Sequence, residues 1–214
     1  EIPAGLNVAL HIFRPVEAVA TMTTVTNSDG TFFFDQVPKD ASARYVLSTT
    51  YQDVTYSVEA EFALGPTTLE VFDITENLSS LNIDSHISVI RNVNRKNGEI
   101  SAVDIVLITN QQSLTFRPVL DPPSNMNFLR FSVPPQTSTL EVQSDLQGGD
   151  IIDVGTGFGL TSPVPPGSHQ ITFTYKFPYN EGRLSFSRSF PQGSGSFRVL
   201  IPESLGEVSG PDLL

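Results

Sequence analysis

The chain has 214 residues, of which 39% are hydrophobic and only 16% are charged, so it is long enough to bury the core of one or two domains. Its 23 acidic and 12 basic residues give a formal net charge of −11, which argues against binding to nucleic acid or to an anionic membrane surface. It contains no cysteine, which excludes disulfides, thiolate metal sites and a cysteine nucleophile.

Alternating apolar and polar residues predict short β-strands throughout the first 75 residues, and no window shows the stripe of an amphipathic helix. The predicted strands are 6–13, 19–25, 31–34, 45–51, 54–62 and 68–74. Turn residues separate them. Residues 27–30 end in Gly30, which tolerates positive φ, and Gln52 and Asp53 form a tight turn.

The rest of the chain repeats this pattern with longer strands. Strands are predicted at 81–94 and 99–109, joined by an Asn97-Gly98 hairpin turn, and then at 114–117, 128–133, 140–144, 151–154, 170–177, 184–190 and 196–201. Arg91, Arg95 and Lys96 lie at the hairpin end and are predicted to form a solvated turn. Short strands separated by proline and glycine are typical of sandwiches and barrels.

These patterns predict an all-β chain of two consecutive antiparallel β-sandwich modules. The first module is predicted to span residues 1–76 and the second 77–214, with a short joint at residues 77–80. The joint is not rich enough in glycine and serine to be a flexible linker. We therefore expect a stiff two-module arrangement.

The first 75 residues carry a recognisable series of motifs. Residues 5–10 read Gly-Leu-Asn-Val-Ala-Leu, residues 26–34 read Thr-Asn-Ser-Asp-Gly-Thr-Phe-Phe-Phe, and Val37-Pro38 and Tyr45-Val46-Leu47 follow. In order and spacing this series resembles the carboxypeptidase regulatory-like, prealbumin-like domains. The resemblance implies an immunoglobulin-like β-sandwich with a structural or binding role, and it carries over no catalytic residue. The second module resembles no family that we can name.

The start of the chain departs from this family, in which a further strand usually precedes the first motif. Here only Glu1 and Ile2 precede Pro3. One interpretation is that the chain is trimmed. The other is that one edge of the sandwich is open and a strand of a partner protein fills it.

The composition also predicts a location. Lysine is scarce, threonine, serine and asparagine are frequent, and the sequence pI is about 4.5. This combination favours an exported protein, either extracellular or part of the cell envelope. A membrane anchor outside this sequence is an alternative that stays open, because the first residue is Glu1 and not Met.

The three histidines give little support to catalysis, because no two lie close enough in sequence to form a ligand pair. His11 and His86 fall inside predicted strands and are expected to be structural. His169 lies at a loop edge, and a hydrolase would need it beside a serine and an aspartate. The Gly-x-Ser-x-Gly motif of one hydrolase class does not occur. We therefore predict no catalytic residues and no enzymatic activity.

Acidic residues in two turn regions could hold a calcium ion, because calcium takes hard oxygen ligands from loops. The residues concerned are Asp29, Asp35, Asp150 and Asp153. The alternative is that these are solvated turns, and no other cofactor is predicted. The run Gly155-Thr156-Gly157-Phe158-Gly159 lacks the Lys-Ser/Thr of a phosphate loop and is expected to be a bulge or tight loop.

Aromatic residues alternate along the predicted strand 170–177. Phe173, Tyr175 and Phe177 share one face, and Tyr179 follows in a loop. An exposed row of this kind would bind carbohydrate by stacking on sugar rings. The alternative is that the rings belong to the core.

Taken together, the sequence predicts a non-catalytic, exported structural or assembly protein. It would be a cell-surface, envelope or filament subunit, or the exoplasmic part of a membrane complex. The expected partners are other protein subunits, joined by β-strand pairing at an open edge, and not nucleic acid. A carbohydrate-binding or adhesion module is the alternative function.

Overall fold

A computed structural model describes residues 4–61, 65–121, 125–179, 187–207 and 209. Strands account for 51% of it and helices for 2%, which confirms the prediction of an all-β sandwich-type chain. The chain divides into two compact units, residues 1–73 and 74–214. Among the described residues there is no helix with the length and apolar character that a membrane span requires.

Unit 1 (residues 1–73) is built on a four-stranded antiparallel sheet in the order β2-β1-β3-β4. Its strands are β1 (Asn7–Phe13), β2 (Ala20–Val25), β3 (Arg44–Tyr51) and β4 (Val54–Glu59). Alternation sends Leu10 and Ile12 of β1 to one face, where they lie opposite Leu47 and Tyr45 of β3. All four are buried, so this face carries the core.

Two predicted strands of unit 1 are not strands in the structure. Residues 31–34 form no ladder, although Phe32 and Phe34 pack against the core while Phe33 is 75% exposed. In the predicted strand 68–74, residues 68–73 likewise form none. The alternating pattern therefore records which side chains cover the sheet, and not whether the backbone is paired.

Unit 2 (residues 74–214) begins with β5 (Ile74–Thr75) and a short 3-10 helix, Leu78–Ser80. Its remaining strands are β6 (Leu81–Asn94), β7 (Glu99–Asn110), β8 (Thr115–Phe116), β9 (Val119–Asp121), β10 (Asn125–Asn127), β11 (Leu129–Ser132), β12 (Ser138–Ser144), β13 (Ile151–Asp153), β14 (Gly157–Leu160), β15 (Gly167–Pro178) and β16 (Phe197–Leu200).

The main sheet of unit 2 has five strands in the order β12-β15-β7-β6-β16, and a second sheet has three in the order β11-β14-β13. Phe173 of β15 contacts Phe131 of β11 and Phe158 of β14, with ring centroids 5.8 Å and 5.0 Å away. All three rings are buried. The core of unit 2 thus lies between these two sheets, as a sandwich requires.

Most strand pairs are antiparallel, as predicted, and two pairs are parallel. β16 runs parallel to β6, and β5 runs parallel to β8. Residues 187–190 of the predicted strand 184–190 are not a strand, and 184–186 lie outside the described residues. The sequence does not predict the short strands β9, β10 and β14, because proline or glycine interrupts the apolar pattern there.

Candidate functional site

Strand β2 is one edge of the unit 1 sheet and pairs, in the described part of the chain, only with β1. Its sequence is Ala-Thr-Met-Thr-Thr-Val, with no charged residue and no proline. Its pairing with β1 shows no bulge. Val19, just before it, is 50% exposed, and Val25 at its end is 55% exposed. A regular, uncharged edge of this kind is a template for pairing with another chain.

The backbone groups that face outward from β2 can be assigned from the ladder. Thr26, next to β2, donates its N–H to the Leu6 carbonyl at 2.9 Å. Hydrogen-bonded and non-bonded pairs alternate in an antiparallel ladder. Thr21, Thr23 and Val25 therefore direct their N–H and C=O groups away from β1. Three residues of β2 thus present a row of backbone donors and acceptors at the sheet edge.

The other sheet edges carry features that discourage such pairing. β12 has an irregular register between Ser138 and Glu141 and carries the Glu141 charge. β11 and β16 have only four residues each, with Arg130 and Arg198 respectively, while β13 has three residues and ends at Asp153. β4 ends at Glu59, which lies 3.8 Å from Arg44. Among these edges, β2 alone combines length, regularity and absence of charge.

His11 lies on the face of the unit 1 sheet opposite the core. Its Nε2 is 2.8 Å from Ser48 Oγ, and its Nδ1 is 3.2 Å from Thr21 Oγ1. A serine beside a histidine is the start of a hydrolytic site, but here Thr21 occupies the place of the orienting carboxylate. The neighbouring N–H groups of β1 and β3 belong to strands paired on both sides. We therefore interpret this group as a polar link between three strands.

A buried polar group in unit 2 is centred on Asp104, which is fully buried in β7. Its carboxylate accepts hydrogen bonds from His86 Nε2 at 2.6 Å, Ser88 Oγ at 2.8 Å, Tyr175 Oη at 3.0 Å and Arg188 Nη1 at 2.6 Å. We name these five residues the Asp104 cluster. Because a carboxylate only accepts, Nε2 of His86 carries the proton.

The Asp104 cluster holds a C-terminal segment onto the main sheet. Arg188 also donates from Nη2 to the Ser132 carbonyl at 2.5 Å. Phe190 and Phe197 pack edge-on against the His86 ring, at centroid distances of 5.3 Å and 5.5 Å. Ser88 and His86 both point at the carboxylate, and each is at most 5% exposed. This arrangement fixes structure and gives a substrate no access to these groups.

Protonation of the cluster follows from its contacts. Burial by itself raises the pKa of Asp104, but the hydrogen bond from His86 and the charges of Arg188 and His86 outweigh it and hold that pKa below its usual value. Burial and the charge of Asp104 raise the pKa of Tyr175 well above its usual value. At neutral pH the folded unit therefore contains an ionised Asp104 and a neutral Tyr175.

These shifts predict loss of stability at both ends of the pH range. A lowered carboxyl pKa stabilises the fold above the unfolded value and is lost as pH falls below about 4, whereas a raised tyrosine pKa stabilises below the unfolded value and is lost as pH rises above about 10. Denaturant unfolding across pH checks this. Tyr175→Phe should flatten the alkaline fall and Asp104→Asn the acid fall. Unchanged slopes in both variants would contradict the assignment.

His169 does not lie in a hydrolytic arrangement. Its Nε2 donates to the Pro165 carbonyl at 2.9 Å, and its Nδ1 is 3.7 Å from an oxygen of Asp145. Among its described hydrogen-bond partners there is no serine. Of the two residues that a hydrolase would need beside His169, the described contacts include an aspartate, Asp145, but no serine nucleophile.

The four candidate calcium ligands are used in their own turns or face solvent. Asp29 accepts from the Thr31 N–H and hydroxyl at 3.0 Å and 2.7 Å, and these bonds lower its pKa. Asp153 accepts from the Gly155 N–H at 2.7 Å, while Asp35 and Asp150 are exposed. Within the described ranges no three acidic or histidine side chains are grouped to hold a metal ion. Calcium binding therefore stays a prediction without structural support.

The aromatic row along β15 does not form an exposed surface. Phe173 is 0% exposed, Tyr175 2% and Phe177 3%, and Tyr179 is half-buried with its N–H bonded to the Gly98 carbonyl at 2.7 Å. A buried ring offers no face on which a sugar can stack. Phe173, Tyr175 and Phe177 therefore belong to the core and do not form a carbohydrate-binding surface.

The sequence analysis does not identify the Asp104 cluster or the β2 edge, although the sequence contains an indication of each. Asp104 occupies a buried-face position between Ala102 and Val106 in β7, and an ionisable residue there requires a partner. The absence of charge in residues 20–25 distinguishes β2 from the other edges. Neither signal reveals by itself which distant residues complete the arrangement.

Comparison with known proteins gives no family. No protein-family model matches the chain, and no curated protein matches it. Among solved structures, the M1 zinc metallopeptidase from Deinococcus radiodurans aligns at 12% identity and TM-score 0.31, over 46% of this chain and 20% of that one. A form of that enzyme bound to a Tyr-Ser-Ala substrate aligns at 11% identity and TM-score 0.31, over 48% and 22%. At this TM-score the likeness carries no conclusion about fold or activity.

Proposed function

We propose that the chain is a non-catalytic assembly module of an extracellular or cell-envelope complex, and that β2 receives an extended segment of another protein. The observation that carries the proposal is the uncharged, regular edge of β2, with three residues whose backbone groups face outward. Strand addition at a sheet edge draws its affinity from such main-chain hydrogen bonds. The acidic, lysine-poor composition supports the location.

A partner protein fits this edge better than a second copy of the chain. Each copy has a formal net charge of −11, so two copies repel one another as they approach. β2 itself carries no charge, so it places no charge requirement on the incoming strand. The partner is therefore expected to contribute an extended segment from a less acidic protein.

Proline at position 23 tests the edge directly. Thr23→Pro removes one outward N–H without removing a bond to β1, and proline is tolerated on edge strands. Thr23→Ala removes the same side chain but keeps the N–H, so it is the matched control. We expect proline to lower the yield of partner complex about tenfold and alanine to leave it within about twofold, since a lost hydrogen bond and a distorted pairing together exceed about 1.4 kcal/mol.

The complex is measured in the source organism with a photo-crosslinking residue at position 21 on β2 or, as a second control, at position 55 on β4. A discrete product from position 21, lost in Thr23→Pro and retained in Thr23→Ala, supports the proposal. Equal yields from both variants, or equal products from both positions, overturn it. A product of twice the chain mass would show that the occupant is a second copy, which contradicts the proposed partner.

A further inference from the structure

Three of the 12 lysine and arginine residues lie within six positions of one another, at the end of the β6–β7 hairpin. They are Arg91, Arg95 and Lys96. Five other cations are ion-paired with carboxylates, whereas these three, like Lys39, Arg130 and Arg198, have no ion pair in the described part of the chain. Arg95 and Lys96 are adjacent in sequence, and an anion held beside both would be attracted by both charges.

The fold places a pocket beside two of these cations. β16 runs parallel to β6, with Leu200 opposite Val89, so the residues after Leu200 run alongside the end of β6. They form a turn in which Leu205 donates its N–H to the Pro202 carbonyl at 2.9 Å. On its other side β6 pairs with β7, and the register of that pairing shifts between Ile90 and Asn92, just before the residues that line the pocket. Between this turn and the hairpin lies an open pocket of about 400 Å³.

The lining of this pocket has the chemistry of an oxyanion site. It is formed by Asn92, Val93, Asn94, Arg95, Lys96, Ser204 and Leu205. Guanidinium, ammonium, carboxamide and hydroxyl groups can all donate hydrogen bonds. Among the described residues no carboxylate lines the pocket, although Glu203 adjoins Ser204 in sequence. Arginine and lysine together are the usual partners of phosphate groups.

The pocket is a depression of about 400 Å³ that is open to solvent. It leaves room for more than a bare ion and does not enclose a ligand. Val93 and Leu205 give it two apolar walls beside the polar groups. We propose that this pocket binds the phosphate or sulfate group of a ligand about the size of a sugar, with Arg95 and Lys96 as the charged contacts.

Titration of the full chain followed by backbone amide NMR tests this proposal. The probes are inorganic phosphate, inorganic sulfate, glucose 6-phosphate, glucose, and phosphatidylcholine vesicles with and without phosphatidic acid. Saturable shifts at residues 92–96 and 204–205 are expected with glucose 6-phosphate and not with glucose. Shifts confined to the phosphatidic acid vesicles would assign the phosphate group to a lipid, which overturns the sugar-sized ligand.

Variants that each remove one positive charge separate a site from general attraction. Arg95→Gln and Lys96→Gln should each weaken glucose 6-phosphate binding about tenfold, because removing one charged contact from the pocket weakens binding on the order of tenfold. Arg91→Gln changes charge on the same hairpin but outside the lining, and should change affinity less than about twofold. An equal loss of affinity in Arg91→Gln, or an absence of saturable binding in the folded wild type, overturns the proposal. Unchanged thermal unfolding verifies that the variants fold.

Discussion

Asp104→Asn is expected to lower the free energy of unfolding of unit 2 by about 3–5 kcal/mol, the usual cost of removing one member of a buried ion pair. The substitution keeps the size of the side chain but removes its charge. Arg188, whose side chain is only 6% exposed, is then left buried without a counter-charge. The amide also replaces one carboxylate oxygen with an NH2 donor, so either His86 and Arg188 or Ser88 and Tyr175 face a donor in place of their acceptor.

Denaturant unfolding measures this loss, with Glu141→Gln as the control. Glu141 is an exposed carboxylate on β12 of the same unit, and its replacement should change stability by less than about 0.5 kcal/mol. A double variant with Arg188→Gln adds a sharper check, since removing both charges leaves neither orphaned and should recover part of the loss. A small effect of Asp104→Asn, or fully additive effects in the double variant, would contradict the role of the cluster.

Gly157→Ala is expected to destabilise unit 2 by about 3 kcal/mol or more, because a forced backbone shift in a close-packed region is costly. A Cβ at position 157 would lie 1.9 Å from the Phe131 carbonyl oxygen, and backbone atoms cannot rotate away as a flexible side chain can. Gly157 pairs with Ser132 at the end of the β11–β14 ladder. The displacement therefore reaches the Phe131 and Phe158 rings of the core.

Gly155→Ala is the matched control for this substitution. Gly155 also has a positive φ, of 79°, but nothing lies within 4 Å of the position its Cβ would take. Only backbone strain remains, so its cost should be about 1–2 kcal/mol. Thermal unfolding of the two variants measures the difference. Equal losses of stability at positions 155 and 157 would show that strain, and not the close approach of β11, is what position 157 requires.

The sequence predicts a strand best where turn residues define its ends and alternating apolar residues define its buried face. The hairpin of β6 and β7 is predicted at 81–94 and 99–109 and observed at 81–94 and 99–110, because the Asn97-Gly98 turn fixes where it reverses. β14 is not predicted, because Gly157 and Gly159 interrupt its apolar pattern. Both glycines are required by close neighbours: β11 approaches Gly157, and the Phe128 ring lies against Gly159. Such requirements arise from neighbours that are distant in sequence.

In the candidate site, too, features that depend on neighbouring residues can be predicted from the sequence, whereas contacts between residues distant in sequence cannot. The uncharged sequence of β2 is visible at once, but its position at an edge depends on the order β2-β1-β3-β4, in which β1 lies between β2 and β3. The burial of Asp104 follows from its place in an apolar alternation. Its pairing with Arg188 does not, because the two residues are 84 positions apart.

That separation also sets an order of events during synthesis of the chain. Translation of 84 residues, at about 5–20 residues per second, takes roughly 4 to 17 s. For that time the β6–β7 hairpin exists on the ribosome without the guanidinium of Arg188 and without β16 beside it. The edge of β6 that will pair with β16 is meanwhile unpaired, and an unpaired strand edge is a template for pairing with other chains until the last part of unit 2 has been made.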